Sequence, residues 1–249
     1  MNANLSIVLI SKNEAKNIAS CLEACKSLSN DIWLIDSFST DKTIEIAEEF
    51  KVNIRQQKWL GYGNTKNLGN SFCKNDWILS LDADEFLQEK LINEIDKIDF
   101  STRQENTVFY LKRKLIFLNK TLNFGSVANE YRPRIFNRKK MMWNDNSVHE
   151  ELEFIDKNEK EIKLNLDGFM LHNSFKNLAD YKEKMNHYAL LSAENKKASV
   201  LKLIFSPIIS FIKNYIFRLG FLDGKAGFEF AYYSSYYAFK KYYFAFKKA

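Results

Sequence analysis

The chain has 249 residues, 46% hydrophobic and 15% aromatic, with a formal charge of +6; this suits one large domain, or a domain with an appendage, and excludes a disordered tract. Eight Gly and two Pro exclude collagen-like and linker-rich classes. Three Cys, two spaced as Cys21-x-x-x-Cys25, make no disulfide framework and suit a reducing compartment.

No secretory leader is expected, because Lys12, Glu14 and Lys16 follow only a short apolar run. No membrane span is expected either. The longest charge-free stretch of the C-terminal region, 203–212, is ten residues, about half of the ~20 that a spanning helix needs. The chain therefore reads as cytoplasmic.

In chain order, residues 5–10 read as a buried strand, followed by Ser-Lys-Asn-Glu and a helical pattern through Ile18, Leu22 and Cys25. Residues 32–36 read as a second strand ending on a carboxylate, then a helix over 41–50 with Asp41 as its N-cap. A short strand at 52–55, a helix at 64–73, an apolar strand at 77–81 and a helix at 87–99 follow. This alternation predicts an α/β architecture with a mostly parallel sheet over about the first 100 residues. In such sheets ligands bind beyond the carboxyl ends of the strands, where the clusters 11–14, 36–41 and 82–85 all fall. Strand-like runs recur at 108–111, 134–137 and 169–172. Residues 175–197 read as a polar helix, and two helical stretches close the chain.

Charge is unevenly placed. Residues 196–249 hold ten Lys/Arg against Asp223 and Glu229, a net of +8, with 16 of the 37 aromatics. The expected organisation is a domain over 1–195 and a basic, aromatic tail over 196–249.

Each polar cluster has a structural and a chemical reading. In Asp82-Ala83-Asp84, two carboxylates separated by one residue fall on the same side of an extended chain; Mg²⁺ or Mn²⁺ would relieve their repulsion, and the alternative is a helix cap. Asp36 at a strand end suits hydrogen bonds from a base or ribose, while Ser39, Thr40 and Asp41 are explained by a turn and cap. Ser11-Lys12-Asn13-Glu14 has capping-box spacing, so helix initiation is its default reading. Gly61-Tyr62-Gly63 lacks the Walker and dinucleotide endings and reads as a loop turn. Arg132 and Arg134 suit phosphates or surface acids. His172 and His187 are too scattered to argue a zinc site.

In order, these clusters resemble a family-2 glycosyltransferase with the Rossmann-like GT-A fold. Residues 7–14 look like that family's first strand and nucleotide turn, 35–43 like its Asp-x-x-Ser-x-Asp-x-Thr signature, and 81–85 like its Asp-x-Asp. Val148-His149-Glu150 and the stretch 219–228 are similar to the bacterial lipopolysaccharide-core β-1,4-glucosyltransferases. The resemblance implies a nucleotide-sugar site of Ser11, Asn13, Glu14, Asp36, Ser37, Lys66, Asn67 and Asp82. Asp36 would contact the base and Asp82 the ribose or the metal. It also implies a divalent cation, Mg²⁺ or Mn²⁺, on Asp84 with Asp82, and catalysis by Glu150, Glu151 and His149. Glu150 would be the base of an inverting hexosyl transfer, with Glu151 the alternative; His149 is an acceptor contact or a structural neighbour. The implied donor is a UDP-hexose and the implied acceptor a saccharide or lipid-linked sugar.

An amphipathic, basic, aromatic tail fits the inner-leaflet membrane surface, which makes the expected location peripheral on the cytoplasmic face; packing on protein is the alternative reading. No nucleic-acid motif is present. A nucleotidyltransferase would need a Gly-rich loop after the first strand, which Ser11-Lys12-Asn13-Glu14 lacks. A non-catalytic membrane-surface module would not need Asp82 and Asp84.

Overall fold

The computed structural model describes residues 2–128, 130–146, 150–175, 177–193 and 199–248. It divides into two compact units, 1–113 with 131–172, and 114–130 with 173–249. The division thus runs at 172/173 rather than 195/196, and a segment from mid-chain joins the C-terminal helices.

The first unit is built on a sheet running β3(Asn53–Gln56), β2(Ile32–Asp36), β1(Leu5–Ser11), β4(Trp77–Asp82), β8(Glu130–Asn137), β6(Thr107–Phe117), β11(Ile162–His172), β5(Glu85–Leu87). The first four strands are parallel, as the α/β alternation predicts. β4 with β8 and β5 with β11 are antiparallel, so the mostly parallel half continues into a mixed one. A short antiparallel hairpin, β9(Met141–Trp143) with β10(Leu152–Phe154), stands beside it.

β1 is buried on both faces, which is why it reads as an unbroken apolar run. Leu5, Ile7 and Leu9 pack in one core with α1(Ile18–Leu28) and α4(Glu89–Asp96), and Val8 and Ile10 pack in the other with Ile35, Phe136 and Trp143. Burying each such aliphatic side chain contributes about 1.5–3 kcal/mol. α2(Thr43–Glu49) and α3(Tyr62–Phe72) complete the unit. Cys21 and Cys25 both lie in the core, as their helical spacing predicts.

Local start signals shift. Ser11 ends β1 instead of capping a helix; α1 begins only at Ile18, with Glu14 accepting from the Asn17 side chain. Asp41 takes the Thr43 amide, so α2 begins two residues later than expected. Gly61, at φ +91°, precedes α3, and Gly63 is inside that helix, not in a loop turn.

In the second unit, the end of β6 turns through Leu118 and Asn119, both at positive φ, into β7(Lys120–Thr121). Leu115, Phe117 and Leu122 pack on Tyr181 of α5(Leu178–Ala193) and Phe230 of α7(Gly224–Lys248). The buried Asp223 carboxylate accepts from the amides of Asn123 and Phe124, while Lys120 Nζ donates to the Asp223 carbonyl at 2.7 Å. A Cβ on Gly227 would lie 1.9 Å from the Gly220 carbonyl oxygen, so this crossing needs glycine.

α6(Val200–Ile212) runs on through a π-helical turn, and Val200–Phe217 is an 18-residue stretch long and apolar enough to cross a membrane by length and composition. That corrects the expectation of no such segment. Lys202 and Lys213 cut the charge-free run short without making the helix polar overall. Its exposed face is apolar, unlike that of an ordinary surface helix. Ser206, Pro207, Ser210 and Asn214 lie on the more buried side, with Ser235 donating to the Pro207 carbonyl. Leu201, Ile204, Phe205, Ile208, Ile209 and Ile212 are exposed.

Candidate active site

Strand register brings three of the expected positions together. Ser11 pairs with Asp36 across β1 and β2, and Ile10 with Asp82 across β1 and β4. The carboxyl ends of three adjacent strands therefore carry Asp36, Ser11 and Asp82 in a row; by register Ser11 and Asp36 share one face, and Asp82, paired with Ile10, falls on the other.

Asp36 is fully buried and pinned: Ser11 Oγ and Ser39 Oγ donate to Oδ1, and the Ser39 amide to Oδ2 at 2.7 Å. The turns after β1 and β2 are laced to each other. The Asn13 amide donates to Ser39 Oγ, the Thr40 amide to Asn13 Oδ1, and the Glu14 amide to Thr43 Oγ1, each at 2.8 Å. Ser37 is buried with its hydroxyl unbonded. Phe38 holds φ +55° with its ring half exposed. Ser11, Asn13, Glu14, Asp36 and Ser37 thus form one connected edge.

After Asp82 the chain turns at Ala83 and Asp84 before β5, so the two carboxylates do not share one face of an extended strand. Nor does either cap α4, which starts after Gln88. Asp84 Oδ2 lies 3.2 Å from His172 Nε2. Burial disfavours the charged imidazole, but the adjacent Asp84 carboxylate outweighs it and raises the His172 pKa.

Glu85 is fully buried. Arg134 meets it with two hydrogen bonds, Nε to Oε2 at 2.9 Å and Nη2 to Oε1 at 2.7 Å, and Arg113 Nη1 adds a third at 3.2 Å. Burial opposes its ionisation, yet the Arg134 and Arg113 guanidinium groups hold the carboxyl well below the usual range. Arg134 Nη2 also lies 3.6 Å from Asp82 Oδ2.

Lys66 and Asn67 project from α3. The Lys66 side chain is fully buried, with Nζ 2.8 Å from Glu150 Oε1, 3.1 Å from Asp82 Oδ1 and 4.8 Å from the centre of the Trp143 ring. The approach to Asp82 is an ion-pair contact without hydrogen-bond alignment, so that oxygen is buried with no hydrogen bond. Asn67 exchanges two hydrogen bonds with the Trp143 backbone, at 2.8 and 3.0 Å. Glu150 is partly buried and faces inward, whereas Glu151 is exposed and its backbone closes the hairpin on Asn144. His149 lies outside the described residues. Among the described residues no three His, Cys, Asp or Glu side chains gather closely enough to hold an ion unaided.

Helix and strand periodicity identified the strand ends. It missed the His172–Asp84 pair and the Arg113/Arg134 grip on Glu85, because both depend on antiparallel pairings across 28 to 88 positions. His172 carries no local signal beyond ending a strand-like run.

A family model described as "Glycosyl transferase family 2" matches residues 6–154. An uncharacterized glycosyltransferase of Rickettsia bellii is 30% identical over 249 residues, covering 92% of this chain and 81% of the relative. The lipopolysaccharide core biosynthesis glycosyltransferase LpsC of Rhizobium meliloti is 26% identical, covering 87% and 82%. Among solved structures, S. aureus TarS 1-349 in complex with UDP-GlcNAc is 15% identical at a TM-score of 0.49, covering 94% of this chain and 79% of that one.

Proposed function

Because the chain belongs to glycosyl transferase family 2, we propose that it moves a hexosyl group, with inversion, from a UDP-sugar to a saccharide or lipid-linked acceptor of a lipopolysaccharide-core-like glycan. The observation that carries this reading is the row of Asp36, Ser11 and Asp82 at adjacent strand ends, with Glu150 bound to Asp82 through Lys66. The name of the Rhizobium relative supports the glycan class.

Asp36 is fully buried and held rigid by Ser11 and Ser39, so its part in this reading is to order the two turns that would line the nucleotide. Glu150 faces inward and Glu151 outward, which favours Glu150 as the base that takes the acceptor hydroxyl proton. Asp82 and Asp84, with His172 beside Asp84, suit a Mg²⁺ or Mn²⁺ ion. They supply too few ligands alone, and such ions complete their shell with substrate phosphates. When bound, the ion would stabilise the departing diphosphate.

The acceptor reading extends to location: the protein docks on the anionic inner leaflet through α6. At 100° per residue, its exposed aliphatics span an arc of about 180°, and Lys202 and Lys213, eleven positions apart, fall together at one border of it. A helix with an apolar face bordered by lysines suits lying in the headgroup plane. The second unit carries fifteen Lys and Arg against six Asp and Glu, a net of +9, which leaves −3 for the first. Attraction to anionic lipid is therefore concentrated where the apolar stripe is.

Calorimetry tests the donor site: UDP should bind in Mn²⁺, and Asp84→Ala should abolish that binding. If UDP, GDP, CMP and dTDP all fail to bind the wild type, the transferase reading fails.

A further inference from the structure

We propose that Lys66 is a positioning residue that holds the base Glu150 and the carboxylate Asp82 as one unit, rather than a contact to the nucleotide; this rests on the reading of Glu150 given above. The resemblance places Lys66 in the donor site, but its side chain is fully buried, while Asp82 and Glu150 are 26% and 17% exposed. A ligand therefore meets the two acids and not the ammonium between them. Buried ammonium groups are tolerated only where charge and hydrogen bonding compensate them. Here the compensation comes from Glu150, Asp82 and the Trp143 ring face.

The rest of the helix face has the same job. Gly63, Lys66 and Asn67 lie at i, i+3 and i+4, on one side of α3. A Cβ on Gly63 would sit 1.8 Å from the Asn144 carbonyl oxygen, so α3 lies directly against the hairpin that leads to Glu150. Asn67 locks the Trp143 backbone through both its amide groups. Lys66 then reaches past that lock to the carboxylate itself. The helix thus fixes the hairpin at its root and the base at its tip. It sets both relative to Asp82 at the end of β4.

The test uses full-length protein with Lys66→Met, Glu150→Gln and the double variant. Expected for Lys66→Met is UDP affinity in Mn²⁺ within about threefold of wild type, with amide exchange over 143–146 and 150–151 faster by roughly tenfold. UDP release from UDP-glucose, with water taking the glucosyl group and giving its proton to the base, should slow by about 100-fold, the scale of a misplaced catalytic group, and the double variant should be no slower than Glu150→Gln. Loss of UDP binding in Lys66→Met, with wild-type binding intact, would make Lys66 a nucleotide contact and overturn the proposal. Unchanged exchange over 143–146 and 150–151 would overturn it as well. If Lys66→Met does not fold, Glu150→Gln carries the exchange test, since it weakens the same link from the other end. A wild type that binds no UDP would instead defeat the donor reading, and the exchange measurement would still decide the role of Lys66.

Discussion

Arg134 and Glu85 lie 49 positions apart and meet as a bidentate pair, both almost wholly buried. Because Arg134 also lies beside Asp82, the pair fixes the floor under the Asp-x-Asp turn. Glu85→Ala would leave Arg134 under-compensated and should cost about 3–5 kcal/mol, read as a fall in Tm of roughly 10 °C. Glu85→Leu with Arg134→Met should recover much of that loss, because no buried charge then lacks its partner. Equal melting of Glu85→Ala and wild type would show the pair to be energetically idle.

Phe38 occupies a backbone conformation that costs a side-chain-bearing residue about 1–2 kcal/mol, and its half-exposed ring recovers little by burial. Phe38→Gly should therefore stabilise the fold, by about 1 kcal/mol after the added chain entropy of glycine. Urea unfolding at unchanged m-value is the measurement.

Burial pushes the Cys73 thiol up to about 12, from an ordinary 9.0, with Asp31 adding to it. The Cys25 hydrogen bond and burial raise Cys21 well above its ordinary value. Thiolates react and thiols do not. Iodoacetamide at pH 8 should therefore label neither Cys21 nor Cys73 in native protein, burial alone should shield Cys25, and all three should react in guanidinium. A raised folded pKa stabilises below the unfolded value and loses that contribution above it, so the Cys73 share of stability should fade as pH climbs from about 9 to 12.

The outward side chains of α6 should matter to lipid and not to folding. Ile204→Ser with Ile208→Ser should lower binding to vesicles containing phosphatidylglycerol by at least about tenfold, from the apolar area withdrawn. Tm should hardly move, since both side chains are exposed. Raising the salt to 0.5 M should weaken wild-type binding further, because the lysine contribution is screened. Co-sedimentation reads all of these, and unchanged binding in the double variant would sink the docking role.

The half of the site made by parallel strands was legible in the sequence, because each strand ends where an apolar run meets Ser11, Asp36 or Asp82. Helix starts were less so. Ser11-x-x-Glu14 matches a capping box by spacing, but Ser11 is claimed by Asp36 on the neighbouring strand, a partner 25 positions away. Lys66 shows the same limit: its residue type suits a phosphate, and only the fold reveals that two acids already surround it. The spacing of apolar residues marked α6 as amphipathic, yet periodicity alone does not say which face turns outward. Ser206, Ser210 and Asn214 turn in beside Leu203, Phe211 and Tyr215, while the larger aliphatic set turns out.

The clasp of Asp223 on the loop at 123–124 has a consequence for synthesis. Leu115, Phe117 and Leu122 leave the ribosome about a hundred residues before the helix that covers them with Phe230, and residues 131–172, made in between, belong to the other unit. At about 5–20 residues per second, this apolar segment waits on the order of 5–20 s for its partners. Nascent chains halted near residue 210, with the first unit clear of the ribosome, should therefore carry a finished first unit and an uncovered loop, which makes that interval the one in which a chaperone has something to hold.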